Sequence, residues 1–203
     1  MEESSKDELK PQVFIVPRWS GNPHSDWYDW FGGKVKEKYG VSVKALAMPH
    51  WNAPSIDEAT EFLWNELPEL NESTILIGHS VGCLALLHFL HERLLHDPTT
   101  TIGGLILVAA WFEVDEAWDT VIPWLKNDQL PYTSLQENIL YKQIIISDND
   151  PFTSNYKRNS ELWKKRLGAE VMLCPGRAHF NGKIENDVFS GFCEIMDNTL
   201  LKN

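Results

Sequence analysis

Ser80 stands in Gly78-His79-Ser80-Val81-Gly82, and the residues around it decide whether it can act as a nucleophile. A serine hydroxyl attacks a carbonyl only if it is lifted clear of its neighbours, placed beside a base and supplied with donors for the oxyanion. Thr74 to Ile77 is a short apolar run, and an apolar stretch with helical character follows Val81 directly. Strand, tight turn and helix in that order make a nucleophile elbow, where flanking glycines leave space that side chains would fill. The first turn of the helix leaves free N–H groups beside the serine, so Val81 N–H is the first expected oxyanion donor.

A serine of this kind needs an acid and a histidine, and in a parallel sheet both should lie just beyond the carboxyl ends of strands. Apolar runs at Val13–Val16, Val41–Ala47, Thr74–Ile77, Gly103–Ala109, Tyr141–Ser147 and Glu170–Leu173 predict six strands. Between them the pattern predicts helices over Trp27–Tyr39, Ile56–Leu67 (with the capping box Ser55 and Glu58), Val81–Leu95, Tyr156–Leu167 and Ile184–Leu200. Residues 111–138 read as short helices, too few for a large cap domain. Strands and helices that alternate, with near-continuous apolar strands, predict an α/β fold: a mostly parallel sheet with helices on both faces. Residues 1–11 read as a flexible tail and 12–203 as one domain.

The loop after the fifth strand carries Asp148 and Asp150, and the loop after the sixth carries His179. The order Ser, Asp, His is that of the α/β-hydrolases. Asp150 is favoured as the acid because Pro151 holds it extended and stiffens its loop, whereas Asp148 suits bonding to loop amides. The second oxyanion donor should come from the loop after the first strand, from Trp19 N–H or, in competition, Arg18 N–H.

Composition narrows the partners. The chain has 203 residues, of which 43% are hydrophobic, and a net charge of −11, which disfavours nucleic acid and anionic membranes. Three cysteines are too few for a disulfide framework, and MEESSKDELK has neither the basic nor the apolar region of a secretory signal. The longest apolar run, Ile102 to Phe112, is too short to span a bilayer. A cytoplasmic protein acting on a small molecule is expected; a monomer is compatible with the sequence, which does not fix the oligomeric state. His88, His91 and Glu92 do not have a metalloprotease spacing, so neither metal nor cofactor is expected.

Several stretches together look like the small cap-less serine hydrolases related to retinoblastoma-binding protein 9. They are Pro17-Arg18-Trp19-Ser20-Gly21-Asn22-Pro23 with Trp27 and Trp30, Met48-Pro49, the elbow, Asp148-Asn149-Asp150-Pro151-Phe152 and Ala178-His179-Phe180. The likeness runs over about residues 12–200. It implies a minimal α/β-hydrolase whose triad falls on Ser80, Asp150 and His179, acting as an esterase or amidase on small substrates. Bacterial members of the pattern open the oxyanion loop with His-Gly; this chain has Pro17-Arg18.

Nine tryptophans call for a large core or an aromatic pocket. Trp111 and Phe112 follow the fourth strand, and with Trp118, Trp124 and Trp19 could wall an apolar acyl pocket. Arg18 could meet a substrate carboxylate or form a surface ion pair. Cys174 is expected to be a buried core residue. His50 and Trp51, after the second strand, could reach the rim of the site. The function these features predict is hydrolysis of an ester, thioester or amide through an acyl-enzyme. The alternative is a binding protein on the same fold with vestigial activity.

Overall fold

In the computed structural model, which describes residues 11–67, 69–182 and 186–200, the six apolar runs form one sheet. The strands are β1 (Gln12–Val16), β2 (Val43–Ala45), β3 (Thr74–His79), β4 (Ile102–Val108), β5 (Ile139–Ile146) and β6 (Glu170–Leu173). Their order is β2-β1-β3-β4-β5-β6, and every neighbouring pair is parallel. The helices are α1 (Tyr28–Tyr39), α2 (Ile56–Glu66), α3 (Val81–His96), the short α4 (Ile122–Leu125) and α5 (Tyr132–Asn138), α6 (Tyr156–Leu167) and α7 (Asn186–Leu200).

The continuous apolar strands follow from a sheet covered on both sides, since successive side chains point to opposite faces. Leu76, Leu105, Leu107, Ile144 and Ile146 face a core shared with α2, α3, α5 and α6. Val13, Ile15, Ile75, Ile77, Ile106, Val108 and Ile145 face the other core, under α1 and α7. The serine half of the capping box forms, with Glu58 N–H donating to Ser55 Oγ at 3.3 Å, while the Glu58 carboxylate faces His50. Gly40 and Gly168, both left-handed, end α1 and α6.

The differences from expectation are local. β2 is shorter than 41–47 because it is an edge strand, paired with β1 only from Val43 to Ala45. α1 starts one residue later than expected, at Tyr28. Residues 1–10 of the expected tail, Pro68 and the first expected residues of the last helix lie outside the described residues. The connection between β4 and β5 holds only α4 and α5, so no cap domain is built there. Cys83, Cys174 and Cys193 are free thiols, with Cys174 buried. Among the described residues, no helix is long and apolar enough to cross a membrane.

Candidate active site

β3 runs into Ser80 at φ 56° and ψ −122°, a conformation costly for any residue with a Cβ. Two main-chain bonds hold it there. Ser80 N–H donates to the Val108 carbonyl at the end of β4 at 2.9 Å, and Cys83 N–H donates to the Ser80 carbonyl at 2.9 Å. Both glycines answer to close packing: a Cβ on Gly78 would lie 2.7 Å from Cys83 Cα, and one on Gly82 would lie 2.3 Å from the Val16 carbonyl oxygen. The end of β1 therefore rests on the first turn of α3, which brings the loop after β1 beside Ser80.

Strain is concentrated at this edge. Among the described residues, the non-glycine residues with positive φ are Ser20, Asp26, His50, Ser80, Ala109, Ala178 and Phe180, and all lie in segments that follow strand ends. Such backbone persists only where neighbours over-determine it.

His179 Nε2 lies 2.8 Å from Ser80 Oγ, and its Nδ1 lies 2.7 Å from Asp150 Oδ2. A carboxylate at Nδ1 requires N–H there, which leaves Nε2 to accept the serine proton. The other carboxylate oxygen, Asp150 Oδ1, accepts from Phe152 N–H at 2.9 Å, so the acid is fixed from both sides. Asp148 does not meet the histidine; its Oδ1 accepts from Gly176 N–H at 2.8 Å. Asn149 Oδ1 takes Ala178 N–H at 2.7 Å, and Ser147 Oγ takes Arg177 N–H at 2.9 Å. Three consecutive side chains of one loop thus hold the main chain that presents His179.

His79 is wholly buried and ties the histidine loop to the loop after β1. Its Nε2–H donates to the His179 carbonyl at 2.9 Å, while Nδ1 accepts from Tyr28 O–H at 2.9 Å. Tyr28 O in turn accepts from Arg18 N–H at 3.1 Å. Asp26 repeats the link, taking Arg18 Nε–H at 2.7 Å and Gly182 N–H at 3.0 Å. With its main-chain N–H on Tyr28, Arg18 offers no oxyanion donor, whereas the N–H groups of Trp19 and Val81 have no acceptor among the described residues. Trp51 braces the same loop: its Nε1–H donates to the Pro17 carbonyl at 3.0 Å, and its carbonyl accepts from Ser20 N–H at 2.7 Å. His50 is exposed and turned to Glu58, away from the site.

Burial, reinforced by the neighbouring His179, lowers the His79 pKa from 6.5 to about 3. Below its ordinary pKa the unfolded chain binds a proton there that the folded chain refuses, so stability must fall as pH drops towards 3; above 6.5 neither state is charged and the effect vanishes. The expected slope is up to about 1.4 kcal/mol per pH unit, read as a falling urea midpoint. His79→Gln should flatten it in part, because His88, lowered by burial to about 4, adds a slope of the same sign.

A cleft of about 400 Å³ opens over Ser80 and His179, walled by Trp19, Trp111, Val114, Trp118 and Phe152, with Arg18, Asn52, Thr120 and Asn181 as its polar members. Trp118 meets Trp19 edge-on at 5.7 Å. Two aromatic residues expected in this wall are elsewhere. Phe112 is buried and stacked on Trp163 at 3.9 Å, with its main-chain N–H held by Asn159 Oδ1 at 2.7 Å, while Trp111 lines the cleft. Trp124 is also buried, donating to the Pro54 carbonyl at 3.1 Å. The sequence reading missed Asn52, Val114, Thr120, Phe152 and Asn181, of which only Phe152 carried a signal, as the neighbour of Asp150 and Pro151.

Residues 13–192 match the family described as Serine hydrolase. The chain belongs to the serine hydrolase family. Among its relatives, YdeN of Bacillus subtilis, named only as a hydrolase, is 30% identical over 103 residues, 51% of this serine hydrolase and 52% of YdeN. The match thus spans about half the length of that curated relative. The solved ydeN product has a TM-score of 0.80 at 19% identity, covering 93% of this chain and 100% of that one. Est1E of Butyrivibrio proteoclasticus, solved with ferulic acid bound, gives 0.68 at 14% identity over 98% of this chain and 93% of its own. XC6422 of Xanthomonas campestris, a serine hydrolase without a lid, gives 0.56 at 16% identity over 98% and 87%. At these identities the likeness to solved structures is one of fold.

Proposed function

We propose that this serine hydrolase cleaves an ester, thioester or amide of a small, partly apolar molecule through an acyl-enzyme on Ser80. The observation that carries this reading is the unbroken hydrogen-bond chain Ser80–His179–Asp150 at the floor of an apolar cleft. In acylation His179 Nε2 takes the Ser80 proton as Oγ bonds to the carbonyl carbon, and then gives that proton to the leaving group. Water repeats the exchange and releases the acid. Asp150 holds the imidazole in its tautomer and stabilises the imidazolium. The N–H groups of Val81 and Trp19 receive the oxyanion; loss of one such donor costs about 10²–10³ in rate.

Within the family we group the chain with the cap-less members related to retinoblastoma-binding protein 9, on the elbow and the Asp-Asn-Asp-Pro-Phe loop. A reducing, cytoplasmic setting suits its free thiols. Pro17-Arg18 in place of His-Gly is the sequence feature that would favour the vestigial-activity alternative. With the Arg18 side chain committed to Asp26 and the Trp19 amide left free, that ground is weak.

A cleft of about 400 Å³ is near the lower end for ligand sites and suits short or single-ring acyl groups. On a panel of p-nitrophenyl esters, turnover should be highest for such groups and fall for long chains. Trp118→Ala should lower kcat/KM about tenfold for ring-bearing acyl groups and leave acetate within about twofold. A wild-type protein inert towards every ester, thioester and amide tried would overturn the reading.

A further inference from the structure

Trp111 lines the cleft, yet it presents more than an apolar wall to Ser80. Its indole N–H is directed at Ser80 Oγ, at 3.4 Å. Buried indole N–H groups ordinarily find a carbonyl: Trp51 does on Pro17, Trp124 on Pro54 and Trp163 on Ala110, and the half-buried Trp19 does on Asn52, at 3.0–3.3 Å. Trp27 Nε1, also buried, has no partner, and Trp111, only 3% exposed, differs from all of these in having the nucleophile as its acceptor.

The placement is built from both sides. The carbonyl of Ala110 is held by Trp163 Nε1–H at 3.3 Å, and Phe112 N–H is held by the buried Asn159 Oδ1 at 2.7 Å. Phe112 is itself stacked on Trp163. The main chain on each side of Trp111 is therefore fixed in the core. β3 lies between β1 and β4, so Trp111 reaches Oγ from the β4 flank, while the Trp19 amide comes from the β1 flank. The two donors serve different oxygens.

We propose that the Trp111 indole N–H is a catalytic hydrogen-bond donor to Ser80 Oγ, an assignment that rests on the serine-hydrolase reading above. At rest the contact is long and weak. As the Oγ proton passes to His179 and the Oγ–carbon bond forms, negative charge builds on Oγ, and the bond shortens towards the 2.9 Å typical of N–H donors. In deacylation the acyl carbon–Oγ bond breaks, Oγ again carries charge, and it regains its proton from His179. The indole keeps its own proton throughout. A contact weak in the ground state and strong in the transition state raises kcat rather than substrate affinity.

Trp111→Phe removes the donor and keeps an aromatic wall. The test is the second-order rate at which a small fluorophosphonate labels the full-length chain, with kcat and KM for p-nitrophenyl acetate. Labelling and kcat should each fall about tenfold with KM near wild type, the loss expected for one bond to a charged oxygen. Wild-type labelling with only a raised KM makes Trp111 a wall and overturns the proposal. If the Phe variant does not fold, 3-benzothienylalanine at position 111, which keeps the shape and lacks the N–H, should show the same deficit; a wild-type rate from it overturns the proposal equally. A wild-type chain that is not labelled overturns the hydrolase reading, and this assignment with it, and differs visibly from a failure confined to the variants.

Discussion

Asp150→Asn is expected to lower kcat by about 10⁴-fold while the protein stays folded. Asp150 Oδ2 sits 2.7 Å from His179 Nδ1. An amide there presents N–H₂ to Nδ1, so the ring moves its proton to Nε2 and can no longer accept one from Ser80. The amide oxygen can still take Phe152 N–H as Oδ1 does now, so the loop keeps its shape. Asp148→Asn is the matched control: its oxygen bonds Gly176 N–H, which an amide oxygen also accepts, and kcat should stay within a few-fold. Steady-state kinetics on p-nitrophenyl acetate with both variants decides the assignment. The reverse pattern would give the acid's role to Asp148.

Gly82→Ala is expected to cost about 10²–10³ in kcat/KM and about 1–3 kcal/mol in stability. The added Cβ would lie 2.3 Å from the Val16 carbonyl oxygen and 2.8 Å from that of Pro17, both main-chain atoms that cannot swing aside. Either the end of β1 moves away from α3, carrying the Trp19 amide with it, or α3 moves and takes Val81. Both routes spread the two N–H groups proposed to receive the oxyanion. A urea melt and kinetics on one variant read the two effects together, and an Ala variant with wild-type kinetics would separate the oxyanion site from this packing.

The fold was legible because each strand is an apolar run bounded by turn residues, and because Gly40, Gly168 and Ser55 mark helix ends by local chemistry. The order in which Ser80, Asp150 and His179 occur, each after a strand, could be read from the chain because a parallel sheet gathers all its strand ends on one edge. What stayed hidden depends on contacts between distant segments. That Tyr28, ten residues past Arg18, bonds both the Arg18 amide and His79 follows from α1 packing under β3, which no local pattern encodes. Asp26 and Asn149 read as loop residues and Ser147 as the end of a strand, and their role as ties across loops appears only when those loops are side by side. Phe112 was misread because alternation past a strand end depends on where the strand stops, and β4 ends at Val108. Arg18 was read as either a substrate contact or an ion-pair partner; it pairs with Asp26 and also lines the cleft, and which acid takes it is set by the fold.

The central claim is that Ser80 is an activated nucleophile. It is tested most directly by treating the intact protein with a fluorophosphonate and locating the adduct by mass spectrometry. One adduct on the Ser80 peptide of the wild type, and none on Ser80→Ala, is the expected result. A wild type that remains unlabelled, or an adduct that persists in Ser80→Ala, would contradict the account.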